Sequence, residues 1–118
     1  MCIRDSVWRF ENNKRKALPF FSLSTNVSTI TAIGNDKNFD EIFSRQVEAL
    51  GDMNDILISI STSGESKNII NAVNQANSMG LYTISLTGEN INNTLSTLSN
   101  LPINFPSSYT PTLSLIHI

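Results

Sequence analysis

Residues 56–70 read ILISISTSGESKNII, and three kinds of chemistry follow one another there without a break. Ile56, Leu57, Ile58 and Ile60 form an apolar run of the type that becomes a buried β-strand. Ser61-Thr62-Ser63-Gly64-Glu65-Ser66 is a turn of hydroxyls around one glycine, and an amphipathic helical pattern starts directly after it. Such a strand-to-helix turn presents unpaired backbone N–H groups, and the helix dipole adds partial positive charge to them. The hydroxyls supply further donors for phosphate oxygens. The stretch therefore predicts an α/β architecture and, within it, an anion cradle. A purely structural reading stands beside this one: glycine supplies a positive φ, and Ser66 caps the helix through Asn68, Ile69 and Ile70. Neither GxxxxGK[ST] nor GxGxxG is present, so a nucleoside-triphosphate loop and a dinucleotide fingerprint are unsupported. Glu65 would repel a polyphosphate unless turned outward. A single phosphate on a small neutral body suits the turn better.

Working outward, strands are expected at Pro19–Ser24, Asp55–Ser61 and Tyr82–Thr87, with a short one at Ile103–Phe105. Between them, Val27, Ile30 and Ile33 repeat at helical spacing after Thr25 and Asn26, which can cap. Phe39, Ile42, Phe43, Val47 and Leu50 form an i, i+3, i+4 stripe ended by Gly51, and Ile69, Ile70, Val73, Ala76 and Met79 form another ended by Gly80. Ile91, Leu95 and Leu98 make a weaker third. Alternating strands and helices at this spacing predict βαβ units and a three-layer αβα fold with a parallel sheet. Ligands of such sheets bind beyond the carboxyl ends of the strands. Ser61-Thr62-Ser63, Thr87-Gly88 and the segment after Ser24 all fall at that edge. A second motif is Ala32-Ile33-Gly34-Asn35-Asp36. It reads either as a C-cap turn or as a pair, Asn35 and Asp36, that hydrogen-bonds sugar hydroxyls.

Composition narrows the field. A chain of 118 residues, 40% hydrophobic and 15% charged, is a single globular domain at most. A net charge of −2 leaves no electrostatic footprint for nucleic acid or an anionic membrane. No apolar run approaches the roughly 20 residues needed to span a bilayer. Cys2 is the sole cysteine, which excludes an internal disulfide framework and suits a reducing cytoplasm. His117 is the sole histidine and sits beside the last residue.

The turn Ser61–Ser66 after an apolar strand resembles the phosphosugar-binding loop of the SIS (sugar isomerase) domain. Three further runs resemble one branch of that family, sedoheptulose 7-phosphate isomerase (phosphoheptose isomerase): RFENNKRKALPFFSLSTN from Arg9, TAIGNDKNFDEIFSRQVEALG from Thr31 and ISLTG from Ile84. The resemblance covers about Arg9 to Thr110. It implies a flavodoxin-like sheet and isomerisation of sedoheptulose 7-phosphate towards D-glycero-D-manno-heptose 7-phosphate, the first step to the heptose of lipopolysaccharide core. It also implies a cytoplasmic homotetramer with active sites between subunits, and zinc in many members. By position, Ser61, Thr62, Ser63 and Ser66 would hold the phosphate, and Asn35 and Asp36 would contact the sugar. Arg9 matches a family arginine near the active site.

The departures are as informative. The family carries upstream a helix, a first strand, an Asn-Gly-Gly loop and a His/Glu pair, none of which is found here. Downstream it carries a ligand Gln and a catalytic, metal-binding His. Ser114 stands where that Gln belongs, and His117 falls on a non-ligand position. MCIRDS at residues 1–6 and LSLIHI at 113–118 resemble translated sequencing-adapter read-through. The expectation is therefore a partial SIS domain over residues 7–112 with foreign ends, without its first strand and flanking helices. Such a fragment is expected to lack catalytic residues and bound zinc of its own and to be inactive, although its parent is an isomerase. Two other readings are a non-catalytic SIS binding module, replication-initiator-binding or sugar-phosphate-sensing, and a different phosphosugar isomerase.

Overall fold

The structure is a computed structural model that describes residues 16–106. The expectations for Arg9, Ser114, His117 and the two terminal hexapeptides lie outside the described residues. Helix α1 spans Val27–Asp36, a 3-10 turn spans Phe39–Glu41, and α2 spans Ser44–Leu50. Strand β1 (Ile56–Ser61), α3 (Lys67–Ser78), β2 (Tyr82–Thr87), α4 (Thr94–Leu98) and β3 (Leu101–Asn104) follow. The three strands lie in the order β1-β2-β3, all parallel. Ser61 is in register with Thr87, and Thr87 with Asn104, so the three strands end together at one carboxyl edge. The α/β class with a parallel sheet is as expected from the alternation of patterns. Sheet and one helical layer are what the described residues build of the three layers.

The two sheet faces have opposite chemistry. Side chains alternate across a strand. Ser59, Ser61, Thr83, Ser85 and Thr87 are buried on the face that α3 and α4 cover. Ala72, Val73 and Ala76 of α3 are buried as well. The core continues through Val47 of α2 and Leu81, with Leu23, Phe43, Leu57 and Met79 packed around them. On the other face Ile56, Ile58 and Ile60 are 60, 39 and 40% exposed, and Tyr82, Leu101 and Ile103 continue the patch. Among the described residues nothing covers it.

Pro19–Ser24 is not a strand. Residues 19–22 are irregular and a turn follows. A strand needs a neighbour for its N–H and C=O groups, and no described strand lies beyond β1. The segment is held otherwise. The Gln46 side chain donates to the Leu23 carbonyl at 3.0 Å and to the Ile42 carbonyl at 2.8 Å, and Thr25 Oγ1 donates to the Ser22 carbonyl at 2.8 Å. Asn26 caps α1 as expected, its side chain accepting from the Thr29 N–H. The stripe from Phe39 to Leu50 is not one helix but a 3-10 turn and α2, with Ile42 and Val47 buried and Phe39 and Leu50 exposed. Gly80 ends α3 with φ 79°, the left-handed conformation glycine allows.

The bare apolar face makes a direct expectation. The 118-residue chain by itself should bind a hydrophobic dye and elute as more than a monomer, because such patches associate in water. A monodisperse monomer that unfolds cooperatively and leaves the dye dark would contradict it.

Candidate functional site

The turn between β1 and α3 is built by its own hydroxyls. The Gly64 N–H donates to Ser61 Oγ and the Glu65 N–H to Ser63 Oγ, each at 3.2 Å. Ser61 Oγ and Ser66 Oγ pair at 3.2 Å. This last contact bears on the capping reading of Ser66. It occupies the N-cap position of α3, yet its side chain makes no capping bond. Its backbone carbonyl serves the helix instead, accepting from Ile69 and Ile70. The Ser66 hydroxyl is turned back towards Ser61, and the Ile69 N–H is taken up by the Asn68 side chain and the Ser66 carbonyl, which leaves the Lys67 and Asn68 amides of the 12-residue helix without a side-chain cap.

A cleft of about 720 Å³ opens over this turn. Ser61, Thr62, Ser63, Ser66 and Asn68 form one wall, with Ile60 and Ile69 also lining it. Glu89 and Asn90, from the loop after β2, form the other. The four hydroxyl residues proposed from sequence therefore meet in one cavity. Asn35 and Asp36 do not line it. They lie exposed in the last turn of α1, where the Asn35 side chain donates to the Asp36 carboxylate at 3.0 Å.

Neighbouring segments brace the turn. The Gly88 N–H donates to the Thr62 carbonyl at 3.1 Å and the Leu95 N–H to the Gly64 carbonyl at 3.0 Å. The Glu65 carboxylate faces away from the cleft and accepts two bonds from Thr94, one from its N–H and one from its hydroxyl, both 2.7 Å. The Thr94 N–H and then the Thr94 hydroxyl hold the Glu65 carboxyl below its ordinary pKa. Gly64 has φ 69°, and a Cβ there would stand 2.1 Å from Asn93 Oδ1. Asn93 is itself buried, donating to Thr87 Oγ1 at 3.1 Å and accepting from the Ser96 N–H at 2.8 Å. Asn104 closes the network with bonds to Thr87 Oγ1 and Ser96 Oγ.

Sequence reasoning missed Glu89, Asn90 and the strut role of Glu65. The first two were within reach, since Thr87-Gly88 was already assigned to the carboxyl edge and Asn-rich ENINN at residues 89–93 marks a loop there. Glu65's partner, 29 positions away in sequence, has no local signal.

Residues 9–88 match the family model of the SIS domain. The chain belongs to the SIS domain family. It is 47% identical over 105 residues to a phosphoheptose isomerase of Helicobacter pylori (strain Shi470), covering 89% of this chain and 54% of that protein. A phosphoheptose isomerase of Syntrophotalea carbinolica is 42% identical over 104 residues, with 88% and 53% covered. The structure of a phosphoheptose isomerase from Francisella tularensis superposes with a TM-score of 0.86 at 34% identity, covering 98% of this chain and 62% of that one. One from Neisseria gonorrhoeae gives 0.77 at 39%, with 82% and 55% covered. The SIS chain thus spans about half the length of the curated relatives it matches.

Two outcomes test the geometry. Gly64→Ala should destabilise the protein by at least about 2 kcal/mol in chemical denaturation, since left-handed strain and the Asn93 clash add. A loss as small as that of an ordinary surface substitution would contradict the close approach. Glu65, with a depressed pKa in the fold, stabilises above its unfolded value, and that contribution is lost as pH falls through the lowered one. As pH falls through and below the ordinary carboxylate range, Glu65→Gln should therefore flatten the acid decline of the denaturation midpoint. Parallel declines in both proteins would remove the clamp.

Proposed function

We propose that this SIS chain is the phosphosugar-binding part of a sedoheptulose 7-phosphate isomerase, an aldose–ketose isomerase that makes the heptose precursor of lipopolysaccharide core. One observation carries the reading. Ser66 withholds its cap and leaves donors open to a cleft walled by Ser61, Thr62 and Ser63. Backbone amides at a helix start, joined by hydroxyls and with no lysine lining the cleft among the described residues, suit one phosphate group. In this reading Ser61 supplies a donor while it shapes the turn, since accepting from the Gly64 N–H leaves its own O–H able to donate. Thr62, Ser63 and Ser66 supply donors to the phosphate. Asn35 and Asp36 would meet the sugar from outside this cleft, as an active site between subunits allows.

The similarity to phosphoheptose isomerases supports the same substrate class and disfavours a non-catalytic binding module. We further propose that the full-length protein is a cytoplasmic homotetramer. Among the described residues no helix is long and apolar enough to cross a membrane. Zinc belongs to the full-length protein in this reading. Among the described residues no three His, Cys, Asp or Glu side chains converge to hold it. The described residues bind and orient. They do not include the acid/base pair that moves the proton between C1 and C2.

Ser61→Ala combined with Ser63→Ala, made in the full-length protein, should weaken sedoheptulose 7-phosphate binding more than tenfold. Hydrogen bonds to a charged group contribute about 1.5–3 kcal/mol each. Calorimetry that gives unchanged affinity would sink the cradle.

A further inference from the structure

The second wall of the cleft lies outside the hydroxyl turn proposed to hold the phosphate, and its chemistry is different. Glu89 and Asn90 share the cavity with the hydroxyl turn, yet they bring a carboxylate and a carboxamide rather than hydroxyls and amides. We propose that Glu89 and Asn90 are specificity-determining residues that hydrogen-bond the hydroxyls of a neutral, polyhydroxylated body, and that Glu89 rejects a second phosphate there. The proposal rests on the reading of Ser61–Ser66 as the cradle for a single phosphate and extends it to the rest of the ligand.

Availability is the first support. Glu89 is exposed, and among the described residues its carboxylate takes part in no hydrogen bond or ion pair. Glu65, the other acid of this region, is fully engaged by Thr94 and does not line the cleft. The two acids therefore have separate tasks: Glu65 braces the turn and Glu89 is left open to solvent or ligand. The second support is rigidity. The Asn90 side-chain oxygen accepts from the Asn92 N–H at 3.0 Å, and its carbonyl accepts from the side chain of buried Asn93. Just before it, Gly88 is bonded to Thr62 of the opposite wall. The loop is thus fixed relative to the cradle, with the Asn90 Nδ2 group uncommitted as a donor. One uncommitted donor beside one anionic acceptor matches the two capacities of a hydroxyl group. The same pair suits a phosphate poorly, because a carboxylate beside an anion repels it, by an amount that solvent and salt screening reduce, unless a cation intervenes.

The test is calorimetric titration of the full-length protein and its variants with three probes: inorganic phosphate, sedoheptulose 7-phosphate and sedoheptulose 1,7-bisphosphate. Glu89→Ala should weaken the monophosphate sugar about tenfold or more while inorganic phosphate stays within about twofold. Glu89→Gln, which keeps an acceptor and removes the charge, should recover part of the monophosphate affinity and narrow the preference for mono- over bisphosphate. Asn90→Ala should act on the sugar probe in the same selective way. Equal losses for phosphate and sugar phosphate would mean that the loop only props the cradle, which overturns the proposal. So would unchanged affinity for the sugar probe in Glu89→Ala. The underlying reading fails separately: Ser61→Ala with Ser63→Ala that leaves inorganic phosphate binding intact removes the cradle, whatever Glu89 does.

Discussion

The turn after β1 keeps its shape because Gly64 carries no side chain. At φ 69° the backbone enters a region that other residues reach only with strain, and Asn93 occupies the space a Cβ would need. That close approach joins the two carboxyl-edge loops of the sheet. Once Asn93 sits against Gly64, its amide reaches Thr87 on β2 and its carbonyl oxygen caps α4 at Ser96. Asn104 on β3 completes the same network. A buried polar cluster is tolerable only when its members are satisfied, and here satisfaction of the cluster fixes the relative position of β1, β2 and β3 at their functional ends. The cradle is a by-product of that arrangement.

Helix α3 illustrates how function is drawn from an unmet local preference. A serine at the N-cap ordinarily spends its hydroxyl on a first-turn amide. The Ser66 hydroxyl pairs with that of Ser61 instead, either of which can donate, so the Lys67 and Asn68 amides of the helix start receive no side-chain cap. In the proposed reading an anion would supply what the cap withholds, with charge of the sign the dipole favours. The same logic explains the buried hydroxyls under α3 and α4: small polar side chains let alanines of the helix come close, which brings the helix start over the strand end.

Much of this was legible in the chain. The apolar runs at Ile56–Ser61 and Tyr82–Thr87 became β1 and β2, and the Ile69-to-Met79 stripe became α3, because burial on the sheet leaves a strong periodic signature. Pro19–Ser24 carried a similar apolar run, but strand formation depends on a partner that a local pattern cannot supply. The Phe39-to-Leu50 stripe had the right spacing for one helix, yet the chain adopts a 3-10 turn before α2, a local change that apolar periodicity does not register. At the site, hydroxyls around one glycine announced themselves by composition. Glu65 bonded to Thr94, and the facing wall of Glu89 and Asn90, depend on contacts between loops far apart in sequence. Asn35-Asp36 shows the converse, a motif clear in sequence that the described fold does not bring to this cleft.

The central claim is that the amino end of α3 and the Ser61–Ser66 turn bind a single phosphate group through backbone amides as well as hydroxyls. Titration of the ¹⁵N-labelled full-length protein with inorganic phosphate, followed amide by amide, measures this most directly. The amides of Ser63, Ser66, Lys67 and Asn68 should move downfield and saturate together, while those of α2 on the far side of α3 stay in place. Shifts that never saturate, or that scatter over the surface without favouring this turn, would contradict the account.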